Sequence, residues 1–523
     1  MSAKLLFNSF PFIFFYLPVT LLGFFLLGRR SPRMAAGWLA AASVFFYGWW
    51  NPVYVLLLMA SIGCNFLFGA RLAQLHSLNR PRQARQLLII AVAANLSLLA
   101  YYKYTDFFVA NLNQMAGASL PLADIVLPLG ISFFTFTQIA FLVDACRGEA
   151  KEYNLVHYIL FVTYFPHLIA GPILHHKEMM PQFGDPAVYR ARWENFAIGL
   201  SIFIIGLYKK TVLADGVAEY VRPSFDAAAN GVALTFLEAW GAALAYTFQI
   251  YFDFSGYSDM AIGLSRMFGI VLPLNFASPY KSESIIDFWR RWHITLSRFL
   301  RDYLYIALGG GRRGAWRRHI NLLLTMLIGG FWHGAGWTFV CWGALHGLYL
   351  AINHGWRSLC MRMRITPSNW PGWKAFARVL TFICVVIAWV FFRAADMDAA
   401  IAVFKGMAGM NGLVLPESWL RRWGIFGQWL STQGYVFADP RFFQAGSQFN
   451  WLWILLVVCW YFPNTQQIML AQRPGLVSPG YEPVTPGRWQ WQPNTKWLVM
   501  LLGLGIYALL SVPEFSEFIY FRF

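Results

Sequence analysis

Charge is scarce in this chain: Asp, Glu, Lys and Arg make up only 12% of its 523 residues. A soluble domain carries about 25%, so most of this surface does not face water. The shortage excludes a soluble globular protein, and a hydrophobic content of 58% excludes a disordered one. Acidic residues are the scarcer sign, 24 against 41 Lys and Arg, which leaves a formal charge of +17. On a soluble chain that excess would suggest nucleic acid. Here it falls in loops between apolar runs, so its expected role is to orient the chain in a membrane, and no nucleic-acid partner is expected. Cysteine is sparse too. Cys64, Cys146, Cys341, Cys360, Cys384 and Cys459 are scattered with no C-x-x-C pair, which argues for neither a disulfide framework nor a metal site. Apolar and aromatic residues fill the remainder, with 18% aromatics and a mean hydropathy of +0.48. The chain reads as an all-α, polytopic membrane protein.

The opening segment has Lys4 and an apolar run from Phe10 to Leu27, followed at once by Arg29 and Arg30. With no small-residue cleavage site, it reads as a retained first span. Further apolar runs lie near 34–50, 52–70, 87–102, 125–143, 155–173, 195–208, 234–252, 320–340, 337–353, 375–392, 451–462 and 497–512. Several fall short of the ~20 residues of a straight span, so some are expected to be re-entrant or buried in protein. Basic clusters follow the first, third and fifth runs: Arg29, Arg30 and Arg33, then Arg71, Arg80, Arg82 and Arg85, then Arg147 and Lys151. That alternation predicts an N-terminus outside and these loops in the cytoplasm. Lys103–Asp124 reads as a near-neutral loop on the outer side. Later, 309–319 and 354–374 read as cytoplasmic, 397–450 as the main external segment, and the Pro-rich 464–496 as a loop; the parity between 155 and 285 is open. One membrane domain, 1–523, accounts for the whole chain.

Four stretches have the residues for chemistry. Asp287–Leu308 places Phe288, Trp292, Leu296, Phe299 and Tyr303 on one face and Arg290, Arg291, Arg298 and Arg301 on the rest, which predicts an amphipathic helix at the cytoplasmic interface holding His293. Next, GGGRRGAWRRH (309–319) offers Arg312, Arg313, Arg317 and Arg318 among glycines. This could cradle phosphates, or it could be orienting loop charge alone. His333 follows an apolar run about 20 Å along a helix from His319. An ionisable residue at membrane depth is a functional candidate, and a neutral imidazole there suits general-base work on a hydroxyl. Gly329, Gly330, Gly334 and Gly336 are expected to break the helix around it; Trp332 and His346 lie nearby. Finally, Asp253, Ser255 and Asp259 in YFDFSGYSDMAIG are placed on a cavity wall or beside a histidine, and His167 in FPHLIAGP either lines the cavity or satisfies a freed carbonyl. No G-x-S-x-G elbow supports a serine-hydrolase triad.

The motifs YFDFSGYSDMAIGL (251–264), FWRRWHITLSRFLRDYLYIALGG (288–310), LLTMLIGGFWHGAGWTF (323–339) and FPHLIAGPIL (165–174) resemble the membrane-bound O-acyltransferase (MBOAT) family. Within it they are similar to the bacterial branch that holds the alginate O-acetyltransferase membrane subunit. LFNSFPFIFFYLPV and SVFFYGWWNP extend the likeness over about 5–395, while 396–523 diverges. The resemblance implies tilted and re-entrant helices ringing a central tunnel, in the inner membrane with a periplasmic N-terminus. It implies catalytic roles for His333 in the WHG motif and His293 in RRWH, with Asp253, Ser255, Asp259, His167, His346 and Trp332 along the tunnel. Acetyl-CoA is the implied donor, with Arg312, Arg313, Arg317 and Arg318 beside it, and no metal is implied. The implied partners are an extracytoplasmic SGNH-type acetyltransferase, the polysaccharide synthase and export machinery, and membrane lipid. The implied reaction is O-acetylation of an exported polysaccharide of alginate or cellulose type; a teichoic acid-like acceptor is the alternative within the class, and a polytopic transporter the alternative outside it. A transporter is expected to show two related halves with matching broken helices, and the sequence shows no such symmetry.

Overall fold

The computed structural model describes residues 5–150, 154–169, 171–476, 489–513 and 518–519. Lys4, Lys151 and positions 477–488 of the Pro-rich loop lie outside them. The first half of the chain forms α1 (Leu17–Gly28), α2 (Pro32–Gly48), α3 (Val53–Ser77), α4 (Pro81–Ala116), α5 (Ile131–Cys146), α6 (Leu155–Thr163), α7 (Trp193–Tyr208) and α8 (Phe236–Met267). The second half forms α9 (Ile285–Arg291), α10 (Ile294–Phe299), α11 (Gly314–His333), α12 (Trp337–Met363), α13 (Trp373–Arg393), α14 (Met397–Met407), α15 (Ser447–Tyr461) and α16 (Thr495–Leu510). Among the described residues the only sheet is a two-stranded ladder of Val414–Leu415 and Val436–Phe437. The all-α polytopic architecture expected from composition is the one observed.

Among the described residues, four helices are long and apolar enough to cross a membrane: Val53–Ser77, Pro81–Ala116, Trp193–Ala218 and Trp373–Arg393. Their outer faces expose large apolar residues such as Leu56 and Leu67, as lipid contact requires. Helix α8 is different, because it is buried on nearly every side. Its first turn is closed by a capping box, in which Glu238 accepts from the backbone and hydroxyl of Thr235. Gly256 and Gly263 then face Gly206 and Gly199 of α7, and a Cβ at any of the four would overlap the opposing backbone. Small residues at this spacing let two membrane helices approach closely.

Two local expectations are corrected. Lys103–Asp124 is not a loop from its first residue, since α4 runs on to Ala116. No Gly or Pro interrupts 103–116, and the helix ends only where Gly117 turns left-handed at φ +62°. Nor is Asp287–Leu308 one helix at the membrane surface. Trp292 is extended and His293 takes φ +43°, which separates α9 from α10. Phe288, Trp292, Leu296 and Phe299 are all buried in the core. The apolar periodicity was correctly located, but its partner is protein rather than lipid.

Candidate active site

Helix α11 starts in the basic segment and ends on His333, where Gly334 and Gly336 take extended backbone. Helix α12 returns antiparallel beside it. A Cβ at Gly330 would overlap the Phe339 carbonyl, and one at Gly343 the Met326 carbonyl. Gly329 and Gly330 therefore do not break the helix, against expectation. Gly330 serves close packing of the hairpin, and the break falls after His333.

His333 is 4% exposed. Its ring lies between Trp332 at 4.8 Å, Trp342 at 5.1 Å and Phe392 at 5.1 Å, the last two edge-on. Trp342 also meets His346 at 4.8 Å, and His346 Nδ1 accepts from Trp289 Nε1 at 3.3 Å. Trp389 links Trp342 to Trp292, with ring centroids 5.9 and 4.9 Å apart. His333, His346 and the turn carrying His293 thus share one aromatic partition. His293 is fully buried, with Nδ1 3.1 Å from Asn275 Oδ1 and Phe254 edge-on at 4.7 Å. Asn275 Oδ1 also accepts from Thr295 Oγ1 at 2.9 Å, while its carbonyl accepts from Ile294 N. These bonds hold His293 in a left-handed conformation that costs a non-glycine residue energy.

Two cavities flank this partition. The larger, about 580 Å³, is lined by α9, α10, α11 and α12, and holds Arg290, Arg298, Arg301, Tyr305 and His354. The smaller, about 70 Å³, is lined by Lys103, Leu127–Phe133, Trp332 and His333. Helix α11 connects them, with Thr325 and Met326 on the large cavity and Trp332 and His333 on the small one. The basic segment adjoins the large cavity. The small one lies toward the opposite face, where Trp337 Nε1 donates to Asn111 near the end of α4. The arrangement places a charged chamber, a buried imidazole and a small cavity in sequence along α11.

The residues singled out from sequence distribute unevenly. Trp332 lines the small cavity beside His333, stacked on Phe136 at 5.0 Å. His293 and His346 pack in the partition but line neither of the two cavities. Asp253 and Asp259 lie away from both: Lys210 Nζ is 2.7 Å from Asp253 and Lys209 Nζ 2.6 Å from Asp259, joining α8 to the turn after α7. Ser255 is buried on α8 and lines neither cavity. His167 Nε2 donates to the Phe161 carbonyl at 2.9 Å. That carbonyl is free because the Phe165 N–H, its helical donor, goes to Ser43 Oγ instead. Of the two roles left open for His167, the structure supports carbonyl satisfaction. Arg312, Arg313 and Arg317 are exposed and Arg318 half-buried, and none lines the large cavity. Its arginines come from the RRWHITLSRFLR segment.

Sequence reasoning passed over Lys103, Tyr104 and Asn275. Lys103 had a signal, a lone cation inside an unbroken aromatic helix run, which the loop assignment hid. Asn275 lies in an irregular loop and had none.

An ionisable residue buried in a helical membrane core is a candidate functional site, and His333 is placed so, ringed by aromatics between a basic chamber and a small cavity. The sequence matches the membrane-bound O-acyltransferase family over residues 83–394. A peptidoglycan O-acetyltransferase of Helicobacter pylori is 46% identical over 439 residues, 79% of this chain and 81% of that one. A probable alginate O-acetylase of Pseudomonas putida is 36% identical over 524 residues, 99% of this chain and 100% of its own. A teichoic acid D-alanyltransferase of Streptococcus thermophilus is 29% identical over 236 residues, 44% of this chain and 57% of that relative. The chain belongs to the membrane-bound O-acyltransferase family. It is a multi-pass membrane O-acyltransferase.

Proposed function

We propose that the chain takes an acetyl group from acetyl-CoA at the basic face and delivers it, past His333, for O-acetylation of a cell-envelope polysaccharide. The observation that carries this reading is the place of His333, on the single helix that joins the two cavities. Arginine binds phosphate bidentately, so Arg290 and Arg301 in the large cavity suit the phosphates of the donor, and the positive-inside rule makes that face cytoplasmic. The acetyl thioester then reaches the aromatic partition. His333 takes the proton of an incoming hydroxyl as its oxygen attacks the thioester carbonyl. Collapse of the tetrahedral adduct breaks the C–S bond, and the departing thiolate recovers the proton. General-base help of this kind is worth about 10²–10⁴-fold.

The small cavity bears on the acceptor. A site of about 70 Å³ holds a few water-sized groups, since one water needs roughly 10–15 Å³ by this measure. It admits an acetyl group or a hydroxyl-bearing side chain, not a sugar ring. This supports a relay to an extracytoplasmic protein of SGNH type that acetylates the polymer. Exposed Trp423, Phe426 and Trp429 in the 397–450 segment offer that protein a docking surface, or an anchor on the outer leaflet. The relatives act, by name, on alginate and on peptidoglycan, so the peptidoglycan glycan joins the acceptors expected from sequence. The test uses membrane vesicles containing the full chain and radiolabelled acetyl-CoA, with label counted in envelope polysaccharide. Loss of label with His333→Ala is expected, and full labelling by that variant would overturn the reading. Acetylation of added polymer by the purified chain alone in liposomes would overturn the relay.

A further inference from the structure

A helix leaves its last carbonyls without intrahelical donors, and α11 ends on the residue that the proposed reaction uses. Three of those carbonyls find donors on one neighbouring helix. Tyr104 Oη donates to the Phe331 carbonyl at 3.0 Å. Lys103 Nζ donates to the Trp332 carbonyl at 2.5 Å and to the His333 carbonyl at 3.2 Å. Two consecutive residues of α4 therefore do from a distance what a C-terminal cap does locally. The contacts around them reinforce the clamp. The Tyr104 ring stacks on Phe331 with centroids 4.3 Å apart and planes 13° from parallel. Lys103 Nζ stands 5.8 Å from the Trp332 ring centroid and reaches Ser132 Oγ at 3.4 Å, at the start of α5. One amino group thus ties α4, α5 and α11 together around the small cavity, which Lys103, Ser132, Trp332 and His333 all line.

We propose that Lys103 and Tyr104 are positioning residues for His333. They fix the final turn of α11, so the imidazole keeps one orientation between the two cavities. Gly334 and Gly336 follow at once in extended conformation, so without the clamp the last turn of α11 has a flexible neighbour on one side. A displacement of about 1 Å at such a residue costs on the order of 10²-fold in rate. The clamp is also directional. It acts at the small cavity, whose lining shares no residue with the arginine-lined chamber, so it bears on transfer and not on donor capture.

This inference rests on the reading that His333 carries the transfer, and one experiment separates the two. The full chain in membrane vesicles is supplied with radiolabelled acetyl-CoA as His333→Ala, Lys103→Met, Lys103→Arg and Tyr104→Phe, each normalised to inserted protein. The expected result is no labelling with His333→Ala and a rate reduced on the order of 10²-fold with Lys103→Met, at unchanged KM for acetyl-CoA. Tyr104→Phe, which keeps the stacking and loses one donor, falls less, and Lys103→Arg restores most of the rate. An inactive His333→Ala beside a fully active Lys103→Met would overturn the clamp and leave the proposed function standing. So would a Lys103→Met whose rate and thermal midpoint fall while its donor KM rises, with none of the three rescued by Lys103→Arg, because that pattern marks a merely structural lysine. An active His333→Ala would remove the foundation of both.

Discussion

Two groups of polar side chains lie inside the helical core, and they are satisfied in opposite ways. Between α7 and α8, Lys209 and Lys210 meet Asp259, Asp253 and Asp215 at 2.6–2.7 Å; Thr465 Oγ1 donates to the same Asp259 oxygen that Lys209 meets, and the Ile519 N–H donates to the second oxygen of Asp253. Around α11 and α12, His333 and His346 are bounded by aromatic rings, and His333 opens on a cavity. A buried charge needs a partner of opposite sign. Once it has one, it is consumed in holding two helices together. An imidazole bounded by rings gains no ionic cross-link from them, which suits the proton transfer proposed for His333. Depth in the membrane thus marks both groups as costly, but only the manner of satisfaction separates scaffold from site.

The sharpest way to break this contrast is to remove one member of each group. His333→Ala is expected to abolish transfer, a loss of about 10²–10⁴-fold or more, while the thermal midpoint in detergent stays near that of the parent. Lys210→Met is expected to behave in the reverse sense. It strips the cation shared by Asp253 and Asp215, and orphaning a buried charge costs about 3–5 kcal/mol. Fluorescence-detected size exclusion after heating checks the loss of fold, and Lys210→Met combined with Asp253→Leu should recover part of it. If Lys210→Met folds normally and loses only turnover, the ionic layer belongs to the reaction and the contrast fails.

His167 tests the same division at smaller amplitude. It is a buried histidine beside helix breakers, as His333 is, yet its imidazole serves the Phe161 carbonyl. His167→Ala leaves that carbonyl unsatisfied, at an expected cost of about 1–3 kcal/mol in stability. Turnover per folded molecule should be unchanged. A turnover loss exceeding the loss of fold would move His167 into the site.

The fold class, the membrane habit and the helix carrying His333 were legible in the sequence because hydropathy and the WHG motif report them directly. The breaks were less legible. Trp292–His293 interrupts a run whose apolar period continues unbroken, since the periodicity records which residues are buried and not whether one helix buries them. Gly330 was misread for a related reason: the same missing Cβ serves a break or a close helix crossing, and only Phe339 and Gly343 opposite it decide which. Lys103 was hidden by its charge, which suggests a loop until the carbonyls it meets, 229 and 230 residues away in sequence, are known. Partners brought together by tertiary packing leave no local trace.

The smallest expected effects separate two sets of arginines that the sequence could not tell apart. Arg290 and Arg301 line the chamber of about 580 Å³, whereas Arg312, just before α11, and Arg317, in its first turn, lie exposed outside it. Arg298 is less useful as a probe, because its pair with Glu178 is largely buried and its loss would orphan that carboxylate, whereas Arg301 meets Asp302 at the surface. If the chamber receives the donor, Arg301→Ala should raise the KM for acetyl-CoA by roughly tenfold, the value of one charged hydrogen bond to phosphate. The rate at saturating donor should hold, because Arg301 lies on the chamber away from His333. Arg312→Ala with Arg317→Ala removes twice as much charge from the same face but from open solvent, so the change should stay within about 0.5 kcal/mol and diminish further in added salt. Steady-state kinetics in vesicles at two ionic strengths measures both. Equal KM increases for the two variants would mean that the basic face attracts the donor as a whole, and that the chamber has no private claim on it.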